Sequence, residues 1–332
     1  MPILAQSSYR APLWLRNGHL QTIWPALFRK IPLPRLWRER LETPDGDFFD
    51  IDRIPAVPGT QACRVVILSH GLEGHSRRSY MLATARALNL AGWDVVARNF
   101  RGCSGEPNRK LRLYHSGETD DLALAVQYCE ALGYTDIALA GFSMGGNQTL
   151  KYVGENRLPA SVRAAAGISV PCDLEGAAEV LARPSRALYM TYFLRTLREK
   201  LYLKKQQFPD ALDLTGLESI RTFNEFDERF TAPMHGFRSA LHYWRESGCI
   251  NVLDTIRIPT LLVNAADDPF LSAGCYPQKT AATNPALTLE VPRWGGHVGF
   301  VGTGSMADWM ARRVVSFFGQ VCGDTRLSPH SA

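Results

Sequence analysis

The chain has 332 residues, a formal net charge of +5, and a composition that is 45% hydrophobic and 21% charged. That is long enough to bury one large core, or a core carrying an insertion, and it excludes disordered, collagenous and fibrous chains. No apolar stretch reaches the ~18 residues a spanning helix needs, no charged n-region leads into an apolar core and cleavage site, and the charge is no nucleic-acid footprint. A membrane-spanning, secreted or nucleic-acid-binding protein is therefore not expected.

The first forty residues carry Arg10, Arg16, Arg29, Lys30, Arg35, Arg38 and Arg40 against the single acid Glu39, interleaved with Trp14, Trp24, Phe28 and Trp37. This arm is expected to lie across the core with its tryptophans buried and its arginines wet. The alternative is contact with an anionic membrane surface or an acidic ligand. Next, 41–43 and 48–54 flank Pro44-Asp45-Gly46, turn chemistry that predicts an antiparallel hairpin. Arg64 to Leu68 is a continuous apolar run ending in His70-Gly71, as for a strand buried on both faces. The pattern continues with a helix over 78–92, a strand over 93–97, a helix over 120–132, a strand over 136–140 and a helix over 147–155. Short alternation of this kind predicts a parallel sheet covered on both sides.

Further buried strands are expected over 164–170 and 259–264, separated by far more chain than a crossover needs. The interval is helical in pattern and rich in aromatics, and 175–250 is read as a cap over the carboxyl ends of the strands. Ordinary flanking helices are the alternative. The organisation expected is an arm and hairpin over 1–60, a core over 61–174 and 251–322, the cap over 175–250 and a flexible tail over 323–332. Seven scattered cysteines (Cys63, Cys103, Cys129, Cys172, Cys249, Cys275, Cys322), with no CxxC pair, suggest neither a disulfide framework nor a zinc site, and a cytoplasmic location is the simplest inference.

The chemistry centres on Gly141-Phe142-Ser143-Met144-Gly145, a G-x-S-x-G string between a predicted strand and a predicted helix. A serine on so sharp a turn sits in a strained backbone, and side chains at the glycine positions would collide with the adjoining strand and helix. Serine needs a base, and the base an orienting acid. Asp267 and Asp268 follow a buried strand, and His297 follows 29 residues after Asp268. The order Ser143, Asp268, His297 is that of a nucleophile-elbow triad. Asp268 is preferred because it precedes Pro269 and has the small Ala265 three residues before it; Asp267 is the alternative. The loop His70-Gly71-Leu72-Glu73-Gly74 is placed to supply one oxyanion-hole amide, so the donors are assigned as the amides of Leu72 and Met144. His70 is expected to hold that turn by hydrogen bonds, and His19, His75, His235 and His242 to be surface or core residues. His115 to Asp120 fits H-x-x-x-x-D, but helix capping by Thr119 or Ser116 accounts for most of that string.

Several stretches together resemble the α/β-hydrolase superfamily, and more closely its YheT-like family. They are Arg16-Asn17-Gly18-His19-Leu20-Gln21-Thr22, Ser69 to Gly74, Asn99-Phe100-Arg101-Gly102-Cys103-Ser104-Gly105, His115 to Thr119, Gly141 to Gly146, Asn264 to Pro269 and Gly295-Gly296-His297. The resemblance covers almost the whole chain. It implies an α/β-hydrolase fold, a mostly parallel central sheet flanked by helices with a helical cap inserted between late strands. It also implies a hydrolase using the triad named above, in a family whose members include carboxylesterases, medium-chain acyl esterases or acyltransferases, and phospholipases. The activity expected is hydrolysis of carboxylic esters or thioesters with a hydrophobic, short-to-medium acyl chain, without metal or organic cofactor. The substrate is then a small acyl ester or lipid-like molecule. Acyl transfer to an alcohol is the near alternative, and a binding module on a hydrolase scaffold the distant one.

Overall fold

The structure is a computed structural model that describes residues 3–4, 6–57, 59, 62–304 and 308–323. Its organising element is a sheet of strands rich in Val, Ile, Leu and Ala, which belong where both faces are covered. β1 (Ile3–Leu4), β2 (Trp37–Glu42), β3 (Phe48–Ile54), β4 (Arg64–Ser69), β5 (Asp94–Arg98), β6 (Asp136–Phe142), β7 (Val162–Ile168), β8 (Thr260–Val263) and β9 (Leu287–Glu290) form one sheet in the order β1-β9-β8-β7-β6-β4-β5-β3-β2. The pairs β2–β3 and β3–β5 are antiparallel and all others parallel. The alternation read from the sequence therefore gives a mostly parallel sheet with an antiparallel hairpin at one edge.

Side chains of period two divide the core into two layers. Val66, Leu68, Ala138 and Ala140 pack with Trp93, Val314 and Phe318 on one face, beneath α2 (Ser79–Leu90) and α11 (Trp309–Val321). Val65, Ile67, Ile137 and Leu139 pack with Leu122, Val126 and Leu150 on the other, beneath α3 (Asp120–Ala131) and α4 (Met144–Gly154). Between β7 and β8 the chain builds a separate run of helices, including α5 (Leu174–Leu181), the long α6 (Ala187–Gln207), α7 (Phe223–Phe226), α8 (Ala232–Met234) and α9 (Ala240–Ser247). Leu194, Leu201, Leu217, Phe226 and Phe230 give this segment an apolar cluster of its own, which reaches Leu72 and Phe270 of the main body.

Three sequence expectations are corrected. The helix expected over 147–155 begins at Met144, directly after Ser143, because tertiary packing overrides the poor helix propensity of Gly145 and Gly146. Thr119 is the N-cap residue of α3, but neither it nor Ser116 caps the helix with its side chain: the Thr119 hydroxyl donates to Glu155, and Ser116 Oγ accepts from Tyr243. The arm does not bury its tryptophans, since Trp14 and Trp37 are 56% and 41% exposed, while the Arg29 side chain is largely buried. Trp14 lies on a single helical turn (Leu13–Leu15) whose buried residue is Leu15, and Trp37 lies on the edge strand β2. α1 (Gly18–Phe28) turns Gly18, Gln21 and Pro25 inward, so Leu20, Ile23 and Leu27 fall on the opposite, solvent face. As for the tail expected to be flexible, 324–332 lies outside the described residues.

The hairpin edge is held by buried ion pairs. Arg101, 3% exposed, makes two parallel bonds to Asp121 (2.9 and 2.7 Å) and reaches Asp45 (2.8 Å) and Asp47 (3.2 Å). Arg101→Leu would leave Asp47 and Asp121 buried without their cation. That costs about 3–5 kcal/mol, read as a lowered urea midpoint, and Arg101→Lys recovers only part because an ammonium cannot match the two-pronged contact.

Candidate active site

Ser143 occupies the turn between β6 and α4 with φ 53° and ψ −121°, a conformation an L-residue adopts only when its surroundings impose it. Those surroundings are tight. A Cβ on Gly141 would lie 2.1 Å from the Gly145 carbonyl oxygen, and one on Gly145 would lie 2.3 Å from that of His70. The Ser143 N–H donates to the Ile168 carbonyl (2.8 Å), tying the turn to the neighbouring strand.

His297 Nε2 lies 2.8 Å from Ser143 Oγ, and His297 Nδ1 lies 2.9 and 3.1 Å from the two oxygens of Asp268. The Asp268 carboxylate is fully buried and also accepts the Phe270 N–H at 2.9 Å. With Nδ1–H directed at that carboxylate, Nε2 is left as the acceptor facing the serine hydroxyl. Phe270 stacks on the imidazole at 4.1 Å between centroids. Asp267 does not touch the ring. Its Oδ1 accepts the Gly296 N–H (2.9 Å), and burial raises its pKa.

The loop after β4 approaches so closely that a Cβ on Gly71 would lie 3.1 Å from Ser143 Cβ. The Leu72 N–H makes no hydrogen bond among the described residues, and Met144, as the first residue of α4, has no partner for its N–H within the helix. Both residues line the same cavity as Ser143. Two unpaired amides on the wall of a cavity that also holds a serine hydroxyl can take up charge developing on a carbonyl oxygen. His70 is buried and braces the loop: Nδ1–H donates to the Gly71 carbonyl (2.7 Å) and Nε2 accepts the Phe100 N–H (3.1 Å). Burial drives its pKa well down, so it stays neutral and is already committed on both nitrogens.

Several supporting residues carry no motif that would reveal them. Glu73, at φ 54°, has its N–H accepted by Tyr114 Oη and its carboxylate held by Tyr114 and by Lys200 Nζ (2.8 Å), so α6 of the cap segment braces the Leu72 loop. Thr22 Oγ1 accepts the His297 N–H (2.9 Å), and Ser169 Oγ accepts the Val298 N–H (2.9 Å). The signal for Thr22 lay in the arm string from Arg16 to Thr22, but nothing there says which loop it meets. Ser169 reads as the end of a strand. His115, in a string read mostly as helix capping by its neighbours, and His235, read as a surface or core residue, both line the cavity beneath the cap segment. Among the described residues, no group of three or more His, Cys, Asp or Glu is placed to hold a metal ion.

Comparison with known proteins agrees with this architecture. A family model described as alpha/beta hydrolase fold matches residues 64–302. Escherichia coli YheT, whose name places it among esterases, is 36% identical over 290 residues, 86% of this chain and 85% of its own length. Phospholipase ABHD3 of Mus musculus is 30% identical over 308 residues, covering 90% of this chain and 74% of the relative. Among solved structures, the Pyrococcus furiosus esterase Pf2001 superposes with a TM-score of 0.58 at 18% identity, over 86% of this chain and 91% of that one, which bears on the fold alone. The chain belongs to the α/β-hydrolase superfamily and, within it, to the YheT-like family.

Proposed function

We propose that the protein is a serine esterase that cleaves carboxylic esters or thioesters of hydrophobic, short-to-medium acyl chains through an acyl-serine intermediate. The observation that carries this reading is the 2.8 Å contact of Ser143 Oγ with an imidazole oriented by a buried carboxylate, at the floor of an apolar cavity. The esterase and phospholipase names of the relatives agree with it. His297 Nε2 takes the hydroxyl proton as Ser143 Oγ bonds to the acyl carbon, and the Leu72 and Met144 amides hold the oxyanion. Collapse expels the alcohol or thiol, which receives its proton from His297. A water molecule deprotonated by His297 then releases the acid. Asp268 holds the tautomer throughout.

A second cavity reaches Ser143 and His297 from the α1 side, past Thr22, Ile23 and Tyr189, and gives the water that hydrolysis needs a route to the site. The seven free cysteines suit a reducing, cytoplasmic setting. The arm also suits a lipid-facing role. Leu13, Trp14, Leu27 and Phe28 are 56–77% exposed, Trp24 packs its ring against both Trp14 and Phe28, and Arg10, Arg16 and Lys30 of the same arm are exposed, apolar and cationic side chains that suit an anionic lipid surface.

On a p-nitrophenyl ester series from acetyl to palmitoyl, turnover passes through an optimum at short-to-medium length, and Ser143→Ala lowers it on the order of 10⁴-fold or more. A flat profile, or one that survives in Ser143→Ala, contradicts the mechanism. Asp268→Asn lowers kcat by about 10⁴-fold, whereas Asp267→Asn, which keeps an acceptor for Gly296, stays within about tenfold of wild type. Cosedimentation with phosphatidylglycerol vesicles should exceed that with phosphatidylcholine and fall in the Trp14→Ser/Phe28→Ser double variant. Equal partitioning onto both vesicle types removes the lipid-facing role.

A further inference from the structure

The cavity beneath the cap segment is lined mainly by Leu, Phe and Met, with one polar region. Asp227, Thr231 and His235 face into it at intervals of four residues along one helical stretch. Asp227–Thr231 form a π-helical turn, an irregularity often found where a helix serves a site. Opposite them stands His115, from the loop before α3, its ring centroid 4.5 Å from that of His235.

The hydrogen bonds of this group are incomplete. His115 Nδ1 accepts the Gly117 N–H (3.2 Å), so the neutral ring carries its proton on Nε2. Nε2 lies 3.8 Å from Glu118 Oε2, too far for a hydrogen bond, and that carboxylate is already engaged by Arg112. Neither ring nitrogen of His235 makes a hydrogen bond to any described residue. Asp227 Oδ2 accepts from Trp244 Nε1 (2.9 Å), and Tyr243 is spent on Ser116. Histidines that merely fill a core have their polar atoms paired.

The chemistry of the group selects its ligand. Burial pushes His235 down to about 3 and His115 well below the usual imidazole range, so neither ring offers a cation to a carboxylate or phosphate. Asp227, though burial pushes it up to about 6, stays mostly ionised at neutral pH and is a poor neighbour for an anion. Two neutral imidazoles in contact on the cavity wall offer the His115 Nε2–H donor and, on His235, one N–H and one acceptor nitrogen. A hydroxyl uses both rings, accepting from His115 Nε2–H and donating to His235.

We infer that His115 and His235 form a polar subsite in the acyl cavity that receives a hydroxyl on the substrate chain, making esters of hydroxylated acyl groups the preferred substrate class. The inference rests on the esterase reading of Ser143, because the subsite shares the cavity of that serine.

The test compares p-nitrophenyl decanoate with isomers carrying one hydroxyl moved along the chain. Wild type should show a kcat/KM at least about tenfold above the unsubstituted ester at one hydroxyl position, since a site built around a hydroxyl loses that much when its polar groups go unpaired. The ratio should fall to one or below in His115→Phe and in His235→Phe, which keep an aromatic ring and lose the donor or acceptor. A ratio near one for every isomer in wild type overturns the inference, and this arm needs no variant to fold. Binding of the matching methyl esters to Ser143→Ala protein reads the subsite without turnover. Equal Kd values with and without the hydroxyl overturn the subsite. A hydroxyl-dependent Kd with no cleavage of any ester by wild type overturns the esterase reading and leaves the subsite standing.

Discussion

Everything at the candidate site depends on how closely three backbones approach one another. α4 starts so near the end of β4 that Gly145 lies against the carbonyls of Ser69 and His70, a contact no side chain would permit. The strained Ser143 backbone is what closes that gap, and strain persists only where neighbours over-determine it. Here they do: the Ser143 N–H is bonded to the β7 end, and Gly141 and Gly145 pack backbone to backbone. The same approach brings the unpaired amides of Leu72 and Met144 toward the serine from two different elements. One steric constraint therefore produces both the serine hydroxyl that faces the cavity and the two unpaired amides on the same wall.

The imidazole is positioned by a different principle. His297 stands on an irregular loop in which Gly295, Gly296, Val298 and Phe300 all have positive φ, so no regular ladder fixes it. Its rigidity is supplied from the other end of the chain. Gly18 fits against the Asp267 carbonyl, Gly296 against the Gly18 carbonyl, Thr22 takes the His297 N–H, and Gln21 Oε1 takes the Val301 N–H at 2.7 Å. The arm is thus part of the site's framework on one face of α1 while its opposite face carries the exposed apolar side chains. Loss of the Gln21 or Thr22 contacts would loosen the base without touching the reacting atoms.

What the sequence made legible follows from where local signals and tertiary demands agree. β4, β6 and β7 are apolar runs with turn chemistry at their ends, and β2 and β3 flank a Pro-Asp-Gly turn, so pattern alone finds them. The order of Ser143, Asp268 and His297 was readable because a strand-to-helix turn explains each glycine around the serine. The start of α4 was not, because Gly145 and Gly146 weaken helix propensity and only the packing against β4 explains why a helix forms there. Contacts across long separations left no local trace: Thr22 meets a loop 275 residues away, and Glu73 meets Lys200 on α6. His115 sat in a string whose residues suggest helix capping, a reading the side chains of Thr119 and Ser116 do not bear out, and its place in the cavity wall follows from how the cap segment folds over it.

Two cavities meet at the serine, and their difference gives the proposed reaction a direction. The one beneath the cap segment is walled by apolar side chains, Leu181, Leu197, Phe226 and Phe230 among them, suited to an acyl chain that leaves water. The other opens past α1 and Arg78 to solvent, suited to the departing alcohol and the entering water. Leu72, Phe193, Phe270, Ser143 and His297 border both, so they form the boundary that an ester must straddle. His297 presents Nε2 at that boundary, where the leaving oxygen and later the water must both arrive. Holding the acyl part on the dry side while exchanging alcohol for water on the wet side requires no movement of the base between the two half-reactions. The bracing of His297 from the N-terminal arm and of the Leu72 loop from α6 then has a common purpose, keeping a boundary between an apolar and a wet compartment in register with one serine.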